Sequence, residues 1–217
     1  DKSGRLPFHT ACAHHRNIYV LEYMIAVTEN VMLEKTTFGS APLVCAIEGR
    51  QPLYVLQYLE EQDPDVWEEK AQYGKTPLHV AASMASDFDI VSWISSRYPT
   101  CASEKDCWGR IPLHRAAAEN NSSPDVLRLL AKPSSIRTTD KGGWLPLHAA
   151  ISSAVNLTNI KFIHQAFPKA MTVRDRNGRL PLHHACSNID TTMEVLKYVY
   201  EGYPEAIQEP DNQKCSP

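Results

Sequence analysis

One motif recurs along this sequence at a nearly constant interval. Its fourth copy is Gly109-Arg110-Ile111-Pro112-Leu113-His114, and the glycines that open the copies stand at positions 4, 39, 74, 109, 143 and 178. Successive glycines are therefore 35, 35, 35, 34 and 35 residues apart. A period in this range is typical of stacked helical units, each of which buries its apolar face only against its neighbours. The motif predicts an all-α repeat solenoid whose chemistry is recognition, not catalysis.

The composition suits a folded chain and indicates neither nucleic acid nor a membrane as a partner. Hydrophobic residues make up 43% of the sequence and the formal net charge is -3, which argues against disorder and against nucleic acid as a partner. No apolar run approaches the ~18 residues that span a bilayer. The opening Asp1-Lys2-Ser3-Gly4 does not resemble a signal peptide. We therefore expect an intracellular protein, cytoplasmic or nuclear, that is not inserted in a membrane.

Each copy of the motif predicts a turn followed by a short helix. Asp106-Cys107-Trp108-Gly109 is a turn sequence, because glycine readily takes a positive φ. The same Asp-x-x-Gly frame begins at Asp1, Asp140 and Asp175, so we expect a β-hairpin-like turn at the start of each unit. Pro112 then suits the first turn of a helix, where its missing N–H has no intrahelical partner to lose.

A second, amphipathic helix is predicted after a polar loop in each unit. In the fourth unit, Ser123 is placed to cap a helix that begins at Pro124. Several second helices are expected to end at an aromatic-proline pair, because proline cannot continue a helix and restricts the residue before it. These pairs are Tyr98-Pro99, Phe167-Pro168 and Tyr203-Pro204. The predicted unit is turn, helix, loop, helix and extended return.

The recurrence predicts one domain over the whole chain, 1–217. Its units are expected at approximately 1–35, 36–70, 71–105, 106–139, 140–174 and 175–210, with 211–217 as the start of a further unit. Terminal units of a solenoid normally present a polar outer face, whereas Leu6, Phe8 and Leu21 make the first unit as apolar as the internal ones. We therefore expect a segment of a longer array, which as a fragment would associate end to end with other copies.

The motif resembles the signature of the ankyrin repeat. The stretch 74–82, Gly-Lys-Thr-Pro-Leu-His-Val-Ala-Ala, carries the resemblance most clearly, and six copies in register extend it over essentially the whole chain. The Leu-Pro-Leu-His form is similar to long ankyrin arrays of unicellular eukaryotes. The chain departs from the usual pattern in three respects: most copies lack the threonine before the proline, residues such as Arg50 and Ala154 replace the glycine between the helices, and the period is about two residues longer than the usual 33.

The resemblance implies where a partner would bind. In this family the residues around the turn glycine and at the end of the first helix are free to vary, so they carry recognition. Here these positions form an aromatic column and a basic column, and aromatic and arginine side chains are common anchors of protein interfaces. The candidate partner-binding residues are Phe38, Tyr73, Lys75, Trp108, Arg110, Trp144, Arg179 and Met84.

Two interpretations remain open for these residues and two for the chain. The aromatic side chains either hold a partner or lie flat on the neighbouring turn and cover its backbone. The chain is accordingly a protein-interaction scaffold or adaptor, or an architectural or regulatory segment of a larger multidomain protein that contacts only its own chain. No constellation of residues points to an enzyme, a metal or a cofactor.

The recurrent histidines and the cysteines have structural interpretations. His79, His114 and their equivalents occupy one repeat position that suits a hydrogen bond to turn backbone. Adjacent pairs such as His183-His184 lack the i, i+4 spacing of a helical zinc site. Cys12 and Cys186 occupy a repeat position at which other units carry Ala82, Ala117 or the larger Ile47 and Ile151, so both are predicted to be small buried core residues.

Overall fold

A computed structural model describes residues 4–28, 30–67, 70–84, 87–120 and 122–217. In these ranges the chain forms twelve α-helices in six consecutive pairs. The helices are α1 (Pro7–His14), α2 (Ile18–Val27), α3 (Pro42–Glu48), α4 (Leu53–Gln62), α5 (Pro77–Met84), α6 (Phe88–Arg97), α7 (Pro112–Ala118), α8 (Pro124–Leu130), α9 (Pro146–Ser152), α10 (Leu157–Ala166), α11 (Pro181–Ser187) and α12 (Met193–Gly202).

The pairs stack one upon the next. Each odd-numbered helix contacts the following odd-numbered helix from α1 to α11. In a second row, α6 contacts α8 and α8 contacts α10. Small side chains on the first helices, such as the fully buried Ala116 and Ala117, allow this close approach. Within the described ranges the β structure consists of one isolated bridge, between Ala71 and Lys75. The all-α repeat stack that the motif predicts is confirmed.

The recurrent histidine caps the start of most first helices, both where threonine precedes the proline and where an apolar residue does. In α7 the Nδ1 atom of His114 accepts a hydrogen bond of 3.3 Å from the backbone N–H of Ile111, the residue before the proline. His148 does the same for Leu145 at 3.0 Å. The ring thus satisfies a backbone donor at the helix start, and the position of the missing threonine is free for a buried apolar side chain. Ile111 and Leu145 are 1% and 2% exposed.

The predicted limits of the second helices are confirmed. The Ser123 hydroxyl accepts a hydrogen bond of 3.2 Å from the backbone N–H of Asp125 in α8. The helices α6, α10 and α12 end at Arg97, Ala166 and Gly202, each directly before its aromatic-proline pair. Short 3-10 helices then lead the chain back toward the next turn. They span Pro64–Trp67, Pro99–Ser103, Ser135–Arg137, Pro168–Thr172 and Pro204–Gln208.

Tight turns open the units, as the Asp-x-x-Gly frames predict. Asp106 Oδ1 accepts hydrogen bonds from the backbone N–H groups of Trp108 and Arg110, at 2.9 and 3.0 Å. Asp140 and Asp175 hold their turns in the same way. The six glycines that open the motif all have positive φ. The turn predicted at Asp1 includes residues 1–3, which lie outside the described residues.

Two of the inter-helix loops keep the conformation that glycine would favour without using glycine. Arg50 and Ala154 have φ of 53° and 48°. By contrast, His15 closes α1 in an extended conformation, with φ of -93°. Ala85, at the equivalent position of the third unit, lies outside the described residues. The loop departs from the family pattern in more than one way while the helix pairs remain in place.

The prediction for Cys186 is wrong. Cys12 is fully buried, but Cys186 is exposed. The residues at the same position of other units, such as Ala82 and Ile151, are fully buried on first helices that contact a first helix on each side, whereas α11, in the described part of the chain, contacts one first helix, α9. Cys186 instead lines an open apolar groove with Leu182, Leu196 and Tyr200.

Candidate protein-binding grooves

The turns form a continuous row along one side of the stack. The backbone N–H of Cys107 donates to the carbonyl of Tyr73 at 2.8 Å, and the N–H of Lys141 donates to the carbonyl of Trp108 at 2.8 Å. Arg176 and Gly142 are joined similarly at 2.9 Å. These bonds fix the spacing of successive turns, so side chains on neighbouring turns are held at contact distance. We call this surface the turn row.

Tyr73 and Trp108 contact each other on the turn row. Their ring centroids lie 4.8 Å apart with an interplanar angle of 48°, and the guanidinium carbon of Arg110 lies 4.3 Å from the centroid of Trp108. Aromatic side chains on adjacent turns therefore do pack together, as the structural interpretation expects. Tyr73 and Trp108 are nevertheless 50% and 41% exposed, so close to half of the surface of each side chain is open to a partner.

A groove of 360 Å³ lies between the turn row and the ends of the first helices α7 and α9. We call it the central groove. It is lined by Trp108, Arg110, His114, Arg115, Ala118, Glu119, Asp140, Lys141, Gly142, Trp144, Ala149 and Ser153. The combination of two indoles with several cations is that of a protein interface more than of a small-molecule pocket.

Trp144 has a more fixed role than the sequence indicates. Its indole Nε1 donates a hydrogen bond of 3.1 Å to Asp175 Oδ2 in the following turn, and its ring lies 4.6 Å from that of His184. His184 also contacts Asp175, at 3.1 Å. Because these contacts join two units, Trp144 forms a rigid wall of the central groove.

A second groove, of 270 Å³, brings together three other candidates. Phe38, Lys75 and Met84 line it, beneath an ion pair of 3.4 Å between Arg5 and Glu48. Phe38 is 51% exposed. We call this the N-terminal groove. Phe38 and Lys75 thus line one groove, while Trp108, Arg110 and Trp144 line the other.

Tyr73 and Arg179 are the candidates that line neither groove, and of the two Tyr73 contacts a groove residue, Trp108. The Nε of Arg179 lies 3.3 Å from Asp211 Oδ2 in the next turn. Arg110 pairs with the aspartate of its own turn instead, with 3.0 Å between its Nε and Asp106 Oδ2. Part of the basic column therefore stabilises the turns through ion pairs, and Arg179 belongs to this part.

Sequence reasoning missed Arg115 on α7. It lies in the central groove, and its Nε is buried without a hydrogen-bond partner in the described part of the chain. The signal was present in the sequence: the equivalent residues of the other units are Thr10, Cys45, Val80, Ala149 and His184. A cation at this position is peculiar to the fourth unit.

Positive charges crowd this part of the surface. Burial lowers the pKa of Lys75, and the charges of Arg115 and Arg110 lower it further. Burial likewise lowers the pKa of Arg115, again with a contribution from Arg110. The nearby carboxylates of Asp106 and Glu119 act in the opposite direction on Arg115. An additional negative group in the central groove would therefore be stabilised.

The recurrent histidines bridge neighbouring units, and the predicted hydrogen bond to turn backbone is confirmed. Besides capping α5, His79 places its Nε2 2.8 Å from the carbonyl of Arg110 in the next turn. His114 reaches the carbonyl of Trp144 at 2.9 Å in the same manner. Since Nδ1 accepts and the carbonyl requires a donor, the neutral Nε2–H tautomer fits. Both ring nitrogens are used, which leaves none for a metal.

The comparisons with known proteins agree with this architecture. The family model described as ankyrin repeats (3 copies) matches residues 52–140, 78–165 and 113–211, which together span most of the chain. The chain therefore belongs to the ankyrin-repeat family, whose members are generally protein-protein interaction modules and typically not enzymes. No curated protein matches the sequence. Among the described residues, no helix has the length and apolar character needed to cross a membrane.

Proposed function

We propose that this chain is a protein-interaction scaffold or adaptor segment that binds a partner polypeptide through the turn row and the ends of the first helices. The observation that carries the proposal is the exposed pair of Tyr73 and Trp108 at the rim of the central groove. Exposed aromatic rings beside arginines are the usual anchors of such interfaces. Phe38, Lys75 and Met84 in the N-terminal groove extend the proposed surface by one unit.

The proposal includes the division of 1–217 into six units and the start of a seventh. The helix pairs and turns are consistent with that division. Trp144 contributes to the surface as a wall, and Arg110 through its contact with Trp108. Arg179 contributes indirectly, because it stabilises the turn of the last unit.

We expect Trp108→Asn combined with Tyr73→Asn to weaken partner binding by about thirtyfold or more, because even one aromatic anchor at an interface centre commonly contributes ~2 kcal/mol or more. Asparagine occupies the equivalent turn position at Asn177, so the substitutions copy a residue that this fold already uses there. The measurement is quantitative affinity capture from cell extract with immobilised wild-type and variant chains.

Tyr19→Asn is the matched control, because Tyr19 is 78% exposed on α2, away from both grooves. Proteins retained by the wild type and the control but lost from the double variant support the proposal. Equal retention of the same proteins by all three chains would contradict the proposal. Retention of no protein by any chain would favour the alternative, an architectural or regulatory segment that contacts only its own chain.

We further propose that copies of this chain associate end to end. Ile207 and Tyr200 are 52% and 41% exposed beside the apolar groove of the last helix pair, and Tyr23 is 69% exposed on the first pair. Exposed apolar surface of this kind favours association.

We expect sedimentation to show a mass that rises with concentration, and Ile207→Glu to suppress that rise. Ile189→Glu, at a fully exposed loop residue, serves as control; a constant monomer mass would refute the proposal.

A further inference from the structure

Arg115 is not required by the repeat. Its position on the first helix is filled by threonine, cysteine, valine, alanine and histidine in the other five units. In the adjacent unit Val80 takes the equivalent place on α5 and is 6% exposed. Stacking of the helix pairs therefore proceeds with uncharged side chains at this position, and the guanidinium of Arg115 needs another explanation.

Among the residues that the structure describes, no carboxylate forms an ion pair with Arg115. Its Nε is buried and lacks a hydrogen-bond partner within the part of the chain that the structure describes. Asp106, one of the two carboxylates whose charges act on Arg115, is already used by Arg110 and by two backbone N–H groups. A buried, unpaired N–H of a charged group has lost its hydration without compensation. Such a group is stabilised when a ligand supplies the missing acceptor.

The groups around Arg115 favour an acidic ligand in an extended polypeptide. Arg110 and Lys141 line the same groove, with Glu119 and Asp140 as the acidic residues. Asp140 is occupied by hydrogen bonds to the backbone of its turn. Trp108 and Trp144 form apolar walls on the turn side, and these would cover the backbone and methylene groups of a peptide, which a small free anion would not use.

The geometry points to Arg115 as the anchor for an aspartate or glutamate side chain of the bound polypeptide, which makes the central groove selective for an acidic segment. The planar guanidinium can hold a carboxylate through two parallel hydrogen bonds, and the buried Nε would supply one of the donors. This inference rests on the proposed function and specifies the chemistry of its partner.

The test selects ligands from a phage-displayed library of random peptides with the whole chain as bait. We expect enrichment of Asp or Glu in the selected peptides, and a loss of about tenfold to a hundredfold in their affinity for Arg115→Val. Arg115→Val copies Val80 of the preceding unit, so it is expected to fold. Arg115→Lys keeps the charge but not the planar guanidinium with its two parallel donors, so this variant should bind the peptides with intermediate affinity.

Arg128→Val is the matched control. Arg128 lies on α8 of the same unit, forms an exposed ion pair of 2.7 Å with Asp125 and lines neither the central nor the N-terminal groove. It should leave affinity unchanged, and thermal unfolding confirms that each variant is folded. Selected peptides that lack acidic enrichment, or that bind Arg115→Val as tightly as the wild type, overturn the role of Arg115.

The outcomes separate this inference from the proposed function. Peptides that depend on Trp108 but not on Arg115 leave a protein-binding surface in place and refute the carboxylate anchor. A library that yields no peptide dependent on either residue refutes both proposals.

Discussion

Replacing Gly143 with alanine is expected to destabilise the fold by about 3 kcal/mol, through two costs that act together. Gly143 has φ of 80°, a conformation that costs an L-residue ~1–2 kcal/mol. A Cβ atom added there would also lie 2.8 Å from the backbone nitrogen of Arg176. That nitrogen donates the hydrogen bond that joins the turn to its neighbour, so the methyl group would push the two turns apart.

Gly39→Ala is the matched control because it carries only the first cost. Gly39 has φ of 72°, but the nearest atom to an added Cβ, the backbone nitrogen of Gln72, is 3.8 Å away. We expect it to lose ~1–2 kcal/mol from backbone conformation alone. Urea unfolding of the two variants measures the difference. Equal losses would show that the spacing between turns does not depend on Gly143.

Mild acid is expected to destabilise the stack between about pH 6.5 and pH 4. Burial lowers the pKa of His79 from 6.5 to about 4 and that of His148 to about 4, where the charge of His184 contributes as well. The unfolded chain therefore binds protons in this window that the folded chain excludes. The free energy of unfolding has its full value above the window and falls as the pH drops through it, and by linkage each histidine contributes on the order of 3 kcal/mol.

A substitution that removes one titrating ring tests this assignment. His79→Val copies Val44, the residue at the same position of the second unit. We expect the variant to be less stable at neutral pH, because it loses the bonds to Thr76 and Arg110, but to show a flatter dependence of the urea midpoint on pH. His14→Val, at an exposed histidine of α1, should retain the wild-type slope. An unchanged slope in His79→Val would assign the acid sensitivity to other groups.

Much of the fold could be predicted because its determinants are local. The glycine of each turn, the proline of each first helix and Ser123 of α8 act within a few residues of their own position. The candidate site could be predicted less well from the sequence, because it depends on the direction in which side chains leave a turn. Trp144 follows a turn glycine as Arg110 does, yet it bonds to the next turn while Arg110 bonds to its own.

Two residues show where single-unit reasoning fails. Arg115 resembles an ordinary polar helix residue until its environment reveals a buried, unpaired Nε. Cys186 resembles Cys12 in sequence, but Cys12 is fully buried whereas Cys186 lines an open groove on α11. Both depend on contacts between units, which a comparison of the units by themselves does not contain.

The histidine bridges give the stack an uneven set of junctions. Where the second unit meets the third, Val44 stands in place of histidine, and Trp67 instead packs against Trp93 and Tyr98, with both pairs of ring centroids 5.2 Å apart. Apolar contacts weaken on cooling but do not titrate. This junction should therefore survive acid that breaks the bridges of His79 and His148, and it should be the first to loosen in the cold. Partial unfolding in acid and partial unfolding in the cold would thus leave different helix pairs folded.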